Sequence, residues 1–511
     1  MDYQQTIDII TKTFSDKAQL EKAGKIAAIS LATYIVTQKI YTAYFGPLSK
    51  IPSSTYARFF EISRSSFDKP MGTSFKGLIQ LNDQYGEVMR LGPKTLLIAD
   101  RDMIKQVLIT DNLQKGEIYD DLGKNNVDTL FSTRDKDLHK HLRRLISPAF
   151  SIKYLNSLEE FMHNTLENLV NKIDDTIKAS PNGKEAPFDI WKGLQCYSLD
   201  IVGDTMFGQT FDMIKNESHP VPDCIAGEMR FAAKFLNRPW LIRLLNFGRK
   251  GKTIKSNPII TKFMTDVIEN RVKSGVRRND ILQILLDTQQ STDPKDRLSE
   301  IEIITETILF LIAGSETTSN SLGFAIIELL RHPEVLKKLR EEIDTLEFPD
   351  PSRPVFNHEQ LKTLPYLNSV MNEVFRTRSV PASGLDRLCD KDVVLGGKLF
   401  VPKNTKIICN VYHSHLNEKY WPNASSFIPE RWLDGDKSNA DINYLMNFSL
   451  GSRNCIGKNF ALMEMRLVLA TLIKLYDFTA IPEEMKASED VRHFITLTVA
   501  NNQFKVLMRR R

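Results

Sequence analysis

Near the C-terminus the chain reads FSLGSRNCIG, Phe448 to Gly457. One cysteine is fenced there by two glycines, an arginine and a phenylalanine. Gly451 and Gly457 admit backbone angles that residues with a Cβ avoid, and they let a flat partner approach the main chain. Arg453, two residues before Cys455, is expected to put a fixed positive charge beside the sulfur and can fork onto a carboxylate. A neighbouring cation and free backbone N–H groups both favour thiolate over thiol. The stretch predicts a sulfur that ligates or attacks something, against the plainer alternative of a buried loop cysteine.

The frame around this loop is that of a globular protein. At 511 residues, 42% apolar and 26% charged, the chain can bury a large core and is neither disordered nor collagen-like. The formal net charge of +5 is small for that length. It suits an anionic membrane surface or an acidic partner only weakly, and gives no reason to expect nucleic acid. The five cysteines, Cys196, Cys224, Cys389, Cys409 and Cys455, are odd in number, widely spaced and without a C-x-x-C pair. That pattern argues against a disulfide framework or zinc ribbon and for a reducing compartment.

At the other end, Ile26 to Val36 carries no charge, and extension to Phe45 admits only Lys39, whose stem can snorkel to an interface. Tyr41 and Tyr44 sit where an aromatic belt would lie. Acidic residues Asp8, Asp16 and Glu21 precede the run, unlike a cleaved signal peptide. The expectation is a single membrane anchor at about residues 26–45 within an N-terminal segment 1–45, with a helix lying on the membrane surface as the alternative. Pro47 and Pro52 predict a stiff hinge over residues 46–56, followed by one large domain over 57–511.

Within that domain, Tyr85 to Asp100 alternates apolar and polar residues around a Gly-Pro break and reads as a β-hairpin. Asp392 to Val411 gives a second β region with a Gly-Gly turn. Helical periodicity covers 152–178, 190–215, 258–274, 298–331, 334–345, 359–376 and 457–475. The expected fold class is mainly α with small β-sheets at one side. The segment 298–331 lacks proline and as one helix would run about 50 Å, enough to cross a whole domain. Its centre, LFLIAGSETTSN, turns abruptly from apolar to small and polar. Gly314 inside a helix costs ~1 kcal/mol relative to alanine, and Thr317 can bond backbone carbonyls and bend the helix. The spacing leaves two readings open: a groove for a small molecule beside Glu316 and Thr317, or a notch where another helix packs.

FSLGSRNCIG resembles the haem-binding loop of the cytochrome P450 superfamily, F-x-x-G-x-R-x-C-x-G. Four further landmarks fall in that family's order. AGSETT, Ala313 to Thr318, resembles its oxygen-activation motif. Glu373-Val374-Phe375-Arg376 matches E-x-x-R. PERW, Pro429 to Trp432, lies between that motif and the cysteine. HLRRLISPAF, His141 to Phe150, resembles the helix that approaches the haem carboxylates. Each motif alone is weak, but five in register, over nearly the whole chain, are specific.

The resemblance implies the cytochrome P450 fold and a haem b bound axially through Cys455, with Phe448 against the porphyrin and Gly451 and Gly457 giving the backbone room. It implies that Arg453, Arg143 and Arg387 meet the haem propionates. Many members have tryptophan four residues before the first of these helix arginines, whereas this chain has His139. Histidine can still donate to a propionate, with a charge that would vary with pH, or it is simply a solvated residue in a basic run. Glu373 and Arg376, one helical turn apart, would in isolation be a surface pair. The resemblance instead makes Glu373, Arg376 and Arg431 a buried structural network.

The activity implied is an NADPH-dependent monooxygenase acting on a lipophilic substrate, with dioxygen in the notch near Ala313 and Gly314 and protons delivered by Thr317 and Glu316. The chain shows no P-loop and no flavin fingerprint. The resemblance therefore implies electrons from a separate membrane-bound NADPH–cytochrome P450 reductase, with cytochrome b5 as a further donor, at the endoplasmic reticulum membrane with the domain facing the cytosol. A P450 that rearranges peroxides without external electrons, and a non-catalytic haem sensor or carrier, are the alternatives. The family's recognition regions map to Gly116–Arg134, Leu309–Ala313, Pro381–Leu385 and Leu497–Ala500, which contain Phe131, Phe310, Pro381, Leu385, Leu497 and Val499. These residues suit a lipophilic substrate or an ordinary core equally.

Overall fold

The longest helix begins where its cap lies. Ser299 accepts the Glu302 N–H while the Glu302 carboxylate takes the Ser299 N–H, a reciprocal capping box. The computed structural model describes residues 17–123, 127–217, 219–236, 256–278, 280–433 and 440–511. Among these, the longer helices are α1 (Lys17–Tyr44), α2 (Ser74–Tyr85), α3 (Lys136–Ile146), α4 (Glu159–Lys178), α5 (Ile190–Met206), α6 (Val221–Leu236), α7 (Pro258–Ser274), α8 (Glu300–Arg331), α9 (Pro333–Asp344), α10 (Pro365–Thr377) and α11 (Lys458–Leu475). The mainly helical expectation holds.

Helix α8 is buried along most of its length and packs on α5. Glycines permit the close approach. A Cβ on Gly323 would fall 2.4 Å from the Trp191 ring, and one on Gly314 would fall 2.9 Å from Val202 Cγ2. Thr317 donates its hydroxyl to the Ala313 carbonyl at 2.7 Å, yet α8 continues unbroken through 314–318.

The expected hairpin forms as antiparallel β1 (Val88–Gly92) and β2 (Thr95–Ile98). Strands β3 (Gln114–Lys115), β4 (Glu185–Asp189), β5 (Leu385–Leu388), β6 (Val393–Leu395), β7 (Leu399–Val401) and β8 (Lys406–Cys409) follow. The main sheet has the order β1-β2-β8-β5-β3, with β2 and β8 parallel. Strands β6 and β7 make the Gly-Gly hairpin expected in the second β region.

A third β region was not foreseen. It comprises β9 (Tyr476–Ala480), β10 (Val491–Phe494), β11 (Thr496–Val499) and β12 (Lys505–Arg510), where β12 pairs with both β4 and β9. Short strands paired across such sequence distances leave little periodicity to read. The helices expected over 152–178 and 359–376 are each interrupted. The first breaks at Leu158, and the second restarts at Pro365, which has no N–H to continue a helix but suits its first turn. The helix expected over 190–215 ends at Met206.

At the N-terminus a helix forms where the anchor was expected, with Ile26, Ile29, Leu31, Tyr34, Val36 and Tyr41 exposed. Among the described residues no helix is long and apolar enough to cross a membrane. The spanning anchor therefore lacks support. Thr33, Thr37, Gln38, Lys39 and Thr42 interrupt the apolar run. The hinge is fastened to the domain, because Leu48 and Ile51 are buried, Arg58 donates to the Ser49 carbonyl and the Arg90 N–H donates to the Pro52 carbonyl.

Candidate functional site

The cysteine loop is shaped by its neighbours. The Cys455 N–H donates to the Phe448 carbonyl at 2.9 Å, closing the loop on itself. Gly451 has φ +71°, and a Cβ there would lie 2.2 Å from the Leu108 carbonyl oxygen; only glycine fits. Gly457 is different. A Cβ would meet Phe150 at 3.7 Å and Cys455 Sγ at 3.9 Å, ordinary contacts, so nothing in the protein alone demands glycine there. The Phe448 ring stands edge-on to Phe375 with centroids 5.1 Å apart.

Cys455 itself is exposed, although protein atoms crowd its sulfur. Burial pushes its thiol up, and the Gly457 N–H, Arg143 and Lys458 oppose that shift. The other described cysteines with resolved shifts, Cys196, Cys224, Cys389 and Cys409, are also raised by burial, but no backbone N–H opposes it in them.

The three arginines expected at the haem carboxylates bond to backbone carbonyls in the protein. Arg453 does not place its charge beside the sulfur. It turns away and donates to the carbonyls of Thr133 at 2.9 Å, Asp135 at 3.0 Å and Arg134 at 3.3 Å. The arginine that acts on Cys455 is Arg143 on α3. It donates to the carbonyls of Asn454 (2.7 Å) and Ser452 (3.3 Å) and to Asn454 Oδ1 (2.6 Å). Arg387, on β5, is buried and donates to the Asp386 carbonyl at 2.9 Å.

Sequence reasoning missed Lys115. Strand register sets it directly opposite Arg387, and neither the residue type nor its local pattern signals that pairing. Lys115 is buried, donates to the Phe131 carbonyl, and is pushed well down by burial and by Arg387 and Arg453. Arg453 is lowered to about 10 by burial and by Arg387. His139 is buried, not solvated. Burial, then Arg453, Lys115 and Arg143, push it down to about 3, so it is neutral at physiological pH and its charge does not vary there.

Three mutually repelling basic side chains thus meet at one edge, Lys115 and Arg387 buried and Arg453 half-buried. Such a cluster is costly unless anions join it. A flat group bearing two carboxylates, approaching an exposed thiol nearby, fits that donor set.

Across from the loop stands α8. Phe150 links the two, with its ring centroid 6.2 Å from that of Phe310 and its edge against Gly457. Ala313, one turn beyond Phe310, is exposed within an otherwise buried stretch. Gly314 faces the other way, against Val202 and Met206; it is the helix-packing notch, and Ala313 lines the open side. Glu316 is buried. Burial pushes its carboxyl up to about 7, with the Asn320 side chain and Arg230 opposing. Of the recognition residues, Leu497 and Val499 belong to the main core and Phe310 is buried, while Phe131 is exposed.

Glu373, Arg376 and Arg431 form the expected buried network. Arg376 Nη2 meets Glu373 Oε1 at 2.7 Å with both side chains fully buried, and Arg431 Nε meets the same oxygen at 3.1 Å. Trp432 Nε1 donates to Glu373 Oε2 at 2.9 Å. Arg376 also donates to the carbonyls of His415 and Ala424, each at 2.7 Å. The surface-pair reading is excluded.

Comparison with known proteins agrees with this geometry. The family model for cytochrome P450 matches residues 65–508. The chain is 32% identical over 474 residues to cytochrome P450 monooxygenase acrD of Aspergillus aculeatus, covering 90% of this chain and 92% of that protein. It is 30% identical over 468 residues to cytochrome P450 monooxygenase LUC2 of a Fusarium species, covering 89% of each. With human cytochrome P450 3A7 it shares 31% identity over 399 residues, 75% of this chain and 76% of that protein. The chain that carries the exposed Cys455 thiol, the Lys115–Arg387–Arg453 edge and the Glu373–Arg376–Arg431 network belongs to the cytochrome P450 family.

Proposed function

We propose that this protein is a haem-thiolate monooxygenase that inserts one oxygen atom from O2 into a C–H bond of a lipophilic substrate, in the steroid, fatty acid, terpenoid or xenobiotic range. Electrons come from NADPH through a separate NADPH–cytochrome P450 reductase, with cytochrome b5 as a further donor. The observation that carries the reading is the exposed Cys455 thiol in a loop whose Arg453 meets the buried Lys115 and Arg387. Haem, when bound, supplies the reductive activation of dioxygen, helped by electron donation from a thiolate ligand.

The chain supplies the rest. Cys455 would hold the haem iron through its sulfur, and Arg143 with the Gly457 N–H favours the thiolate. Lys115, Arg387 and Arg453 would neutralise the carboxylates of the group, with His139 beside them. Phe448 shields the sulfur. Exposed Ala313 on α8 leaves room for a small molecule, and the Thr317 hydroxyl, held on the Ala313 carbonyl, would position a proton there. Glu316, poised near neutrality, takes protons up and hands them on. That acid–hydroxyl pair favours oxygen activation over peroxide rearrangement or passive haem carriage. The exposed apolar side chains of α1 support attachment to the endoplasmic reticulum membrane, with the domain on the cytosolic side.

The test is spectroscopic. Reduced protein under carbon monoxide is expected to show the thiolate-type spectrum, and Cys455→Ala is expected to lose it. Retention of that spectrum in the variant would sink the reading. Substrate-dependent NADPH consumption with added reductase then separates a monooxygenase from a rearranging enzyme or a carrier.

A further inference from the structure

Helix α8 carries another buried carboxyl, which the roles above do not use. Glu306 is 1% exposed. Leu130, far earlier in the chain, donates its backbone N–H to Glu306 Oε1 at 2.7 Å. Glu306 Oε2 is buried without a hydrogen-bond partner. Glu306, Phe310, Ala313 and Thr317 recur at helical spacing and therefore share one stripe of α8.

The loop on the other side of this bond is built to leave the Leu130 N–H available. The Thr129 N–H donates to Ser132 Oγ at 3.0 Å, and the Ser132 N–H donates back to Thr129 Oγ1 at 3.1 Å. Lys115 holds the Phe131 carbonyl and Arg453 holds those of Thr133, Arg134 and Asp135, so the loop's far end is tied to the cation edge. The Leu130–Glu306 bond ties its middle to α8.

Among the described residues no cation balances Glu306. Burial pushes its carboxyl up to about 8; the Leu130 N–H opposes that, and Glu302, one turn earlier on the same helix, adds to it. Lys115 and Arg453, on the loop side, are committed to backbone carbonyls. At physiological pH the group is therefore a neutral acid whose carbonyl oxygen takes the Leu130 N–H while its O–H finds no acceptor. An ionised Glu306 here would be an unpaired buried charge. Deprotonation therefore favours a state in which the loop lifts and water reaches the carboxylate.

We propose that Glu306 is a positioning residue for substrate recognition: by holding Leu130 it fixes segment 127–133 as a wall beside the Ala313–Thr317 stripe, and releasing it opens that wall. The inference rests on the monooxygenase reading only in treating that stripe as substrate-facing. The fastening itself does not depend on it.

Hydrogen exchange of the peptide containing Leu130 tests the fastening on the holoenzyme, corrected for intrinsic base catalysis, between about pH 6 and pH 9. Wild-type protection is expected to fall about tenfold or more across that window. Glu306→Gln keeps an acceptor for Leu130 and cannot ionise, so its protection is expected to stay high and flat. Glu306→Ala is expected to be unprotected throughout and to release a bound lipophilic azole, followed by absorbance, several-fold faster than wild type. Protection that ignores pH in the wild type, or that falls in parallel in the Gln variant, overturns the fastening. Unchanged azole release from an Ala variant that has lost Leu130 protection overturns the recognition role. The exchange result stands even where the pigment proves not to be haem-thiolate, so the two readings fail separately.

Discussion

Arg143 and Arg453 hold each other's elements. Arg143, on α3, donates to the backbone of Ser452 and Asn454 beside Cys455, and Arg453, from that loop, donates back to the carbonyls of Thr133, Arg134 and Asp135 at the head of α3. The helix and the cysteine loop are thereby locked as one unit. Hydrogen bonds from a charged donor contribute about 1.5–3 kcal/mol. Arg143→Gln is expected to destabilise the fold by an amount in that range in urea titrations and to speed loss of the thiolate-type carbon monoxide spectrum. An effect confined to haem content, with neither change, would mean that Arg143 serves only the haem carboxylates.

The network around Glu373 is stabilising through mutual satisfaction of buried charge. Glu373→Ala strands two guanidinium groups, and breaking such a pair costs roughly 3–5 kcal/mol. The variant is expected to unfold at markedly lower urea concentration or to yield no folded protein. A midpoint within error of wild type would exclude the network as a mainstay of the core.

Two glycines of the same loop should behave oppositely. Gly451→Ala forces a Cβ to 2.2 Å from the Leu108 carbonyl at φ +71°, a backbone cost of about 1–3 kcal/mol before the clash is counted. Gly457→Ala adds only contacts at 3.7 Å and 3.9 Å and is expected to leave the unfolding midpoint of the haem-free protein nearly unchanged. Equal destabilisation by both would contradict the loop geometry.

Thr317→Ala is expected to retain haem while diverting electrons to peroxide, because the hydroxyl on the Ala313 carbonyl no longer positions a proton. The ratio of product to NADPH consumed measures this. An unchanged ratio removes Thr317 from proton delivery.

Buried carboxyls set a pH dependence of stability. Glu464 accepts the Ser198 hydroxyl at 2.7 Å, and burial pushes it up to about 8. The unfolded chain releases that proton near the ordinary glutamate value of about 4.3, whereas the folded chain keeps it to about 8. Its contribution is therefore fully present at acid pH and falls away as pH rises through that window. Urea midpoints compared between wild type and Glu464→Gln are expected to diverge with rising pH, the variant holding its stability better. Parallel curves would show that Glu464 ionises normally.

Sequence alone carried the family, the helical class and the first hairpin. These follow from local signals: alternation, helical period, glycine spacing and an ordered set of short motifs whose residues lie close in the chain. Partnership was decided in three dimensions. Which arginine reaches Cys455, that Gly314 packs while Ala313 opens, and that His139 is neutral all depend on side-chain direction and burial. Lys115 joined Arg387 through strand register, and Glu306 met Leu130 across the fold. Electrostatic effects of this kind depend on distance and on exclusion of water, and a linear order of residues specifies neither.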